Sequence, residues 1–215
     1  MLIVKIRIWA DWVVVLVLGV SDVIKLYEVV TTFTKQVFDK FEADDWVKRA
    51  NRYYREGIDD LALICLDKTI EMNNSDNEKR SQLYLLKGDL FTSRGMYLFK
   101  NDVECKVSFE ASIIEFEKSI KIDPFNSVAW MGKGFSQLML ALQANEDAKS
   151  DYYTYEAIFS IEAGLGVLQD SVPYMDLESN LWGLKGAAYY MIGKFDEGDK
   201  CFKKENVDTQ ISKSP

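Results

Sequence analysis

Histidine is absent from all 215 residues. The commonest general base and the commonest protein metal ligand are therefore missing together. The chain also lacks a GxxxxGK(S/T) phosphate loop, an HExxH zinc helix and a GxSxG nucleophile turn, the local patterns that carry most recognisable catalysis. Carboxylate chemistry remains, but no pair of acids is set apart, so the sequence reads as non-enzymatic and needing no cofactor. Cysteine is scarce: Cys65, Cys105 and Cys201 stand alone without a CxxC spacing. They read as reduced structural thiols, and no zinc site is expected. Basic charge is in deficit, with 26 Lys/Arg against 34 Asp/Glu and a net charge of −8. An acidic surface repels phosphate backbones, which argues against nucleic acid as a partner.

A long apolar run is missing too. The longest near the N-terminus, Trp12 to Val20, is bounded by Asp11 and by Ser21-Asp22, well short of the ~20 apolar residues of a spanning helix. Three readings of this stretch stay open. Lys5 and Arg7 before it and Gly19 and Ser21 after it suit a signal or N-terminal anchor. Its shortness suits a buried strand or helix. The third reading places the biological start further downstream. After it, Val23, Leu26, Tyr27, Val30, Phe33, Val37, Phe38 and Phe41 recur at three- and four-residue steps, one apolar stripe of an amphipathic helix. Such a helix can cover the bare face at the start of a repeat stack.

What is present is globular composition, 48% apolar and 28% charged, and a repeated phrase. Tyr84-Leu85-Leu86-Lys87-Gly88, Trp130-Met131-Gly132-Lys133-Gly134 and Trp182-Gly183-Leu184-Lys185-Gly186 share the pattern aromatic, two residues, Lys, Gly; Trp46-Val47-Lys48-Arg49-Ala50 is a weaker copy. One unit written four times is a repeat array. Unit one continues with Tyr53, Gly57, Ala62, Leu66, Thr69 and Asn74, a pattern that resembles the tetratricopeptide repeat, a pair of antiparallel helices of about 34 residues. Unit two supplies Tyr84, Gly88, Phe91 and Gly95, then about a dozen extra residues near 96–107 before Ser112, Phe116, Ser119 and Pro124 return to register. Unit three has Trp130 and Gly134 but Gln137 where an aromatic is usual, a polar junction near 143–150, and a second helix from about Tyr153 to Gln169. Unit four has Trp182, Gly186, Tyr189, Gly193, Phe195 and Phe202, after a linker at 170–179.

The resemblance implies an all-α fold, an α-solenoid of about four antiparallel helix pairs. The expected organisation is a hydrophobic extension at 1–24, a leading amphipathic helix at 25–43, the repeat domain at 44–205 and a frayed tail at 206–215. It also implies that the first helix of each unit lines a concave groove. The groove-facing positions fall on Asp44, Val47, Asn51, Tyr54 and Arg55 in unit one, Gln82, Leu85, Asp89, Thr92 and Ser93 in unit two, Val128, Met131, Phe135, Leu138 and Met139 in unit three, and Asn180, Gly183, Ala187, Tyr190 and Met191 in unit four. Of these, Asn51, Tyr54, Leu85, Asp89, Met131, Phe135, Leu138, Met139 and Tyr190 are the residues expected to bind. The third set is apolar where a solvated wall would be polar, so two readings stand: a docking surface for a hydrophobic peptide or helix, or a face buried by the insertions near 96–107 and 142–152. A clamp for chaperone C-termini is disfavoured. Asn51 alone fits it, Val47, Val128 and Gly132 replace basic residues, and Asp89 would repel the ligand. Lys87, Lys133 and Lys185 are expected to lay their stems along the stack with ammonium groups in water, and Tyr152, Tyr153 and Tyr155 to pack inside the unit-three hairpin.

The function this implies is a non-catalytic scaffold or adaptor that binds another protein or peptide in the groove, in the cytoplasm. The alternative is a membrane-tethered adaptor anchored through residues 1–24, with membrane or exported location. The partner's identity and the oligomeric state are left open.

Overall fold

A computed structural model describes residues 43–101, 103–144, 146–168 and 175–211. The expected extension at 1–24 and leading helix at 25–43 lie outside the described residues, apart from Ala43. The chain divides into two compact units, 1–45 and 46–215, and the second holds the repeats. Among the described residues there are eight helices: α1 (Ala43–Arg55), α2 (Asp59–Met72), α3 (Asn77–Lys100), α4 (Lys106–Ile122), α5 (Ser127–Gln143), α6 (Asp147–Leu168), α7 (Met175–Met191) and α8 (Phe195–Ile211). None is long and apolar enough to cross a membrane.

The helix ends follow from local chemistry. Gly57 and Gly193 take φ of +70° and +73°, the left-handed conformation that costs glycine least. Each closes its helix with the same pair of bonds: Gly57 N–H to Tyr54 O and Ile58 N–H to Tyr53 O, then Gly193 N–H to Tyr190 O and Lys194 N–H to Tyr189 O. This is the Schellman stop. Asp76 and Asn126 start α3 and α5 by accepting from the Lys79 and Ala129 N–H groups, each cap worth about 1 kcal/mol.

Three glycines of the repeated phrase bring paired helices together. A Cβ on Gly88 would stand 2.5 Å from the Phe116 ring, one on Gly134 2.8 Å from Ile161, and one on Gly186 2.8 Å from the Phe202 ring. Each large residue comes from the second helix of its own unit, and burying such a side chain is worth roughly 1.5–3 kcal/mol. Further contacts join the second helix of one unit to the first helix of the next. The first helices α3, α5 and α7 also touch in succession, so they form one wall.

Several expectations change. The residues near 96–107 mostly extend α3 to Lys100, with a short turn before α4, because Gly95 packs on Phe109 and Met96 and Leu98 join a cluster around Cys105, Phe109, Met139 and Leu140. In unit three α5 runs to Gln143 and α6 starts at Asp147, ahead of the expected Tyr153, so helix takes up part of the expected polar junction. Of the three tyrosines there, Tyr153 packs on the Phe109 cluster, whereas Tyr152 and Tyr155 are exposed. In unit three the missing aromatic is replaced by a buried polar pair, Ser160 Oγ donating to Gln137 Oε1 at 2.8 Å. Helix α8 continues past Glu205 to Ile211.

Candidate partner-binding groove

The wall of first helices carries a concavity of about 450 Å³ lined by Asp89, Thr92, Met131, Phe135, Asn180 and Leu184, with Phe116, Gly132, Gly183 and Glu205 completing it. It spans units two to four. Asp89 and Thr92 come from α3, Met131 and Phe135 from α5, Asn180 and Leu184 from α7. Two glycines admit residues from the second layer. Gly132 has no Cβ to separate the groove from Phe116, and a Cβ on Gly183 would stand 2.9 Å from Glu205 Oε1. A carboxylate of α8 thus reaches a surface otherwise built from first helices, and the fully buried Phe116 ring of α4 lies directly beneath it.

The nine residues expected to bind a partner divide. Asp89, Met131 and Phe135 line it together. Leu138 and Met139 are buried, at 5% and 6% exposure: Leu138 packs with Ala157, Ile158 and Ile161, and Met139 with Cys105 and Phe109. Helix α6 covers Leu138, and the lengthened α3 with the start of α4 covers Met139, so of the two readings of this apolar face burial applies to its C-terminal half. Leu85 is half-buried outside the lining. Asn51 is exposed on α1, and Tyr54 shares a 3.2 Å hydrogen bond with Ser93 Oγ. Tyr190 turns onto α8, where it hydrogen-bonds Asp199, stacks edge-on with Phe195 and Phe202, and lies over Gly198.

Phe116, Gly132, Leu184 and Glu205 are the lining residues the groove-facing positions do not include. The available signals were small ones. Gly132 is a glycine the packing register does not need, and Glu205 stands where the repeat usually has alanine.

Asp89 is an acidic group of the groove wall. It reaches solvent at the groove mouth, yet the walls remove enough water to raise its pKa to about 6. Desolvation disfavours the carboxylate, and no cation among the described residues offsets it. No cluster of His, Cys, Asp or Glu among the described residues is placed to hold a metal ion. The three cysteines are free thiols and buried, and burial raises Cys65 and Cys201 above the usual thiol range.

No family model and no curated protein matches the sequence. Solved structures do match. The crystal structure of MamA superposes with a TM-score of 0.57 at 17% identity, covering 97% of this chain and 94% of that one. TTC0263, a thermophilic TPR protein in Thermus thermophilus, superposes with a TM-score of 0.56 at 14% identity over 77% and 74%. The fold is tetratricopeptide-like.

In the tetratricopeptide-like register the lysines of the repeated phrase have a shared role that differs from the expected one. Lys87 Nζ lies 2.6 Å from Asp67 Oδ1, Lys133 Nζ 2.9 Å from Glu117 Oε1, and Lys185 Nζ 2.8 Å from Glu162 Oε1. Each acid sits at the same place in the second helix of the preceding unit, directly after Leu66, Phe116 and Ile161. The lysine side chains keep only 10–14% exposure, so they are tied between units and form no open basic patch. Lys87 is the most enclosed: burial works against its charge, but Asp67 and Glu115 outweigh it and hold its pKa above the usual range. In unit four that place is Lys203, which offers a further unit no acid.

Proposed function

We propose that the chain is a non-catalytic interaction scaffold that holds a segment of another protein in the groove between α3, α5 and α7. The observation that carries this reading is the concavity over Met131, Phe135 and Leu184, apolar surface left half-exposed at the meeting of three units. Exposed apolar surface of this kind marks contact sites on soluble proteins, and Met131 adds a side chain that adapts to its ligand.

The test is affinity capture with the full chain, comparing the parent with a Met131→Asp/Phe135→Asp variant and with Ile114→Asp on the exposed side of α4 as a surface control. Partners retained by the parent and the control but lost by the double variant, at unchanged helical circular dichroism, support the groove. Retention of the same partners by a folded double variant overturns it. Should the double substitution unfold the chain, Met131→Asp alone, at a half-buried side chain, decides.

A further inference from the structure

The groove is chemically lopsided. Its floor is apolar, with Met131, Phe135 and Leu184 over the buried Phe116 ring, and the charged residues that line it are acids, Asp89 on α3 and Glu205 on α8. Among the described residues no lysine or arginine lines it. The basic residues nearest in the register, Lys87, Lys133 and Lys185, are drawn away into ion pairs with the neighbouring second helices.

We propose that the groove receives a segment of a partner protein in which a Lys or Arg pairs with Asp89 while apolar side chains beside it cover Met131, Phe135 and Leu184. This deepens the groove reading above and rests on it. Three features carry it. Asp89 makes no ion pair among the described residues, so the only acidic wall group on α3 has its carboxylate available. Gly183 leaves space through which the Glu205 carboxylate reaches the same concavity from the second helix, so an acid and not a base borders the site on that side. The apolar floor is continuous beneath both, and it suits the stem of a long cationic side chain as well as its apolar neighbours. An unbalanced carboxylate in a partly dehydrated site costs solvation energy, which explains why Asp89 is lifted to about 6, and a cation at that place offsets the cost. An acidic segment would meet repulsion from Asp89, and the overall charge of −8 steers cationic partners at longer range.

The experiment uses immobilised full chain and a labelled peptide library with randomised flanks around a central position fixed as Lys, norleucine or Glu. Selection on the parent, on Asp89→Asn and on Met131→Asp separates the two levels of the argument. The expected result is enrichment of Lys-centred peptides with apolar flanks. Asp89→Asn should weaken them about fivefold to tenfold, as for a partly desolvated ion pair, while norleucine-centred peptides change less than about twofold. Met131→Asp should weaken both. Equal weakening of Lys and norleucine peptides by Asp89→Asn, or preference for Glu, overturns the cationic assignment and leaves the groove standing. Enrichment that Met131→Asp leaves untouched, or no enrichment at all, overturns the groove reading with it. Concentration-dependent dimerisation of the parent that Asp89→Asn abolishes would make the occupant a second copy of this chain and overturn the assignment to a separate partner.

Discussion

The ring of Phe116 packs directly on the Gly88 backbone, with Cε1 2.5 Å from where a Gly88 Cβ would stand. Phe116 is fully buried and also lies under Gly132 of the next unit, so one ring of α4 fixes the approach of both α3 and α5.

Gly88→Ala should therefore destabilise the chain although alanine is the better helix former. The helix gains about 1 kcal/mol from propensity, and overpacking a ring with no room to retreat costs roughly 1–3 kcal/mol. Gly166 on α6 is the control, since a Cβ there meets nothing within 4 Å. Gly166→Ala should stabilise by about 0.5–1 kcal/mol. Chemical denaturation of the two variants checks the pair; two shifts of the same sign would show that the close approach does not govern α3.

The lysine pairs should differ in cost. Removing Lys87 leaves Glu115, which is buried and keeps one carboxylate oxygen without a partner among the described residues. Lys118 still lies 2.8 Å from Glu115 and Asp67 is half-exposed, so Lys87→Ala should cost about 2 kcal/mol, below the ~3–5 of a fully buried broken pair. Lys133→Ala and Lys185→Ala should cost under about 1 kcal/mol, because Glu117 and Glu162 are about half-exposed and solvent screens such pairs. The Lys87 contribution is present below about pH 10.5 and lost as pH rises through its elevated folded pKa. Denaturation midpoints in low and high salt check the order.

Gln137 and Ser160 offer a test by double substitution. Both are buried and bonded to each other at 2.8 Å. Ser160→Ala leaves the amide oxygen without its donor and should cost about 1–3 kcal/mol. Gln137→Leu/Ser160→Ala removes both polar groups and should recover most of that loss. Additive losses in the cycle would show that the hydrogen bond is not what holds the site.

The helix pairs were legible in the sequence because they rest on local signals: Gly57 and Gly193 recur at the ends of first helices, and the phrase ending in Gly88, Gly134 and Gly186 marks close packing. The groove was legible in part. Asp89, Met131 and Phe135 follow from register alone. Leu138 and Met139 do not: Leu138 is covered by Ala157, Ile158 and Ile161 of α6, and Met139 by the Phe109 cluster that forms because α3 runs on to Lys100. Glu205 enters the groove only because Gly183 leaves space, and such a contact between distant residues has no signature in spacing. The lysine pairs were missed for the same reason, since the acids lie one unit upstream.

Asp89 gives a prediction with a definite pH window. Its folded pKa of about 6 stands above the ordinary carboxylate value of 3.8. Between those values the unfolded chain releases the proton while the folded chain keeps it, so the stability contributed by this group falls as pH rises, and the loss is complete above about pH 6. Asp89→Asn removes the dependence. The variant should match the parent at pH 3.5 and melt higher at pH 7.5. The gain should stay below about 1 kcal/mol, since the carboxylate keeps contact with solvent, or a rise of about 2–4 °C at most for a chain of this size. Thermal melts at both pH values measure it. A variant that melts lower at pH 7.5 would mean that the ionised carboxylate already has a favourable counter-charge, and the groove would then have no deficit for a cation to fill.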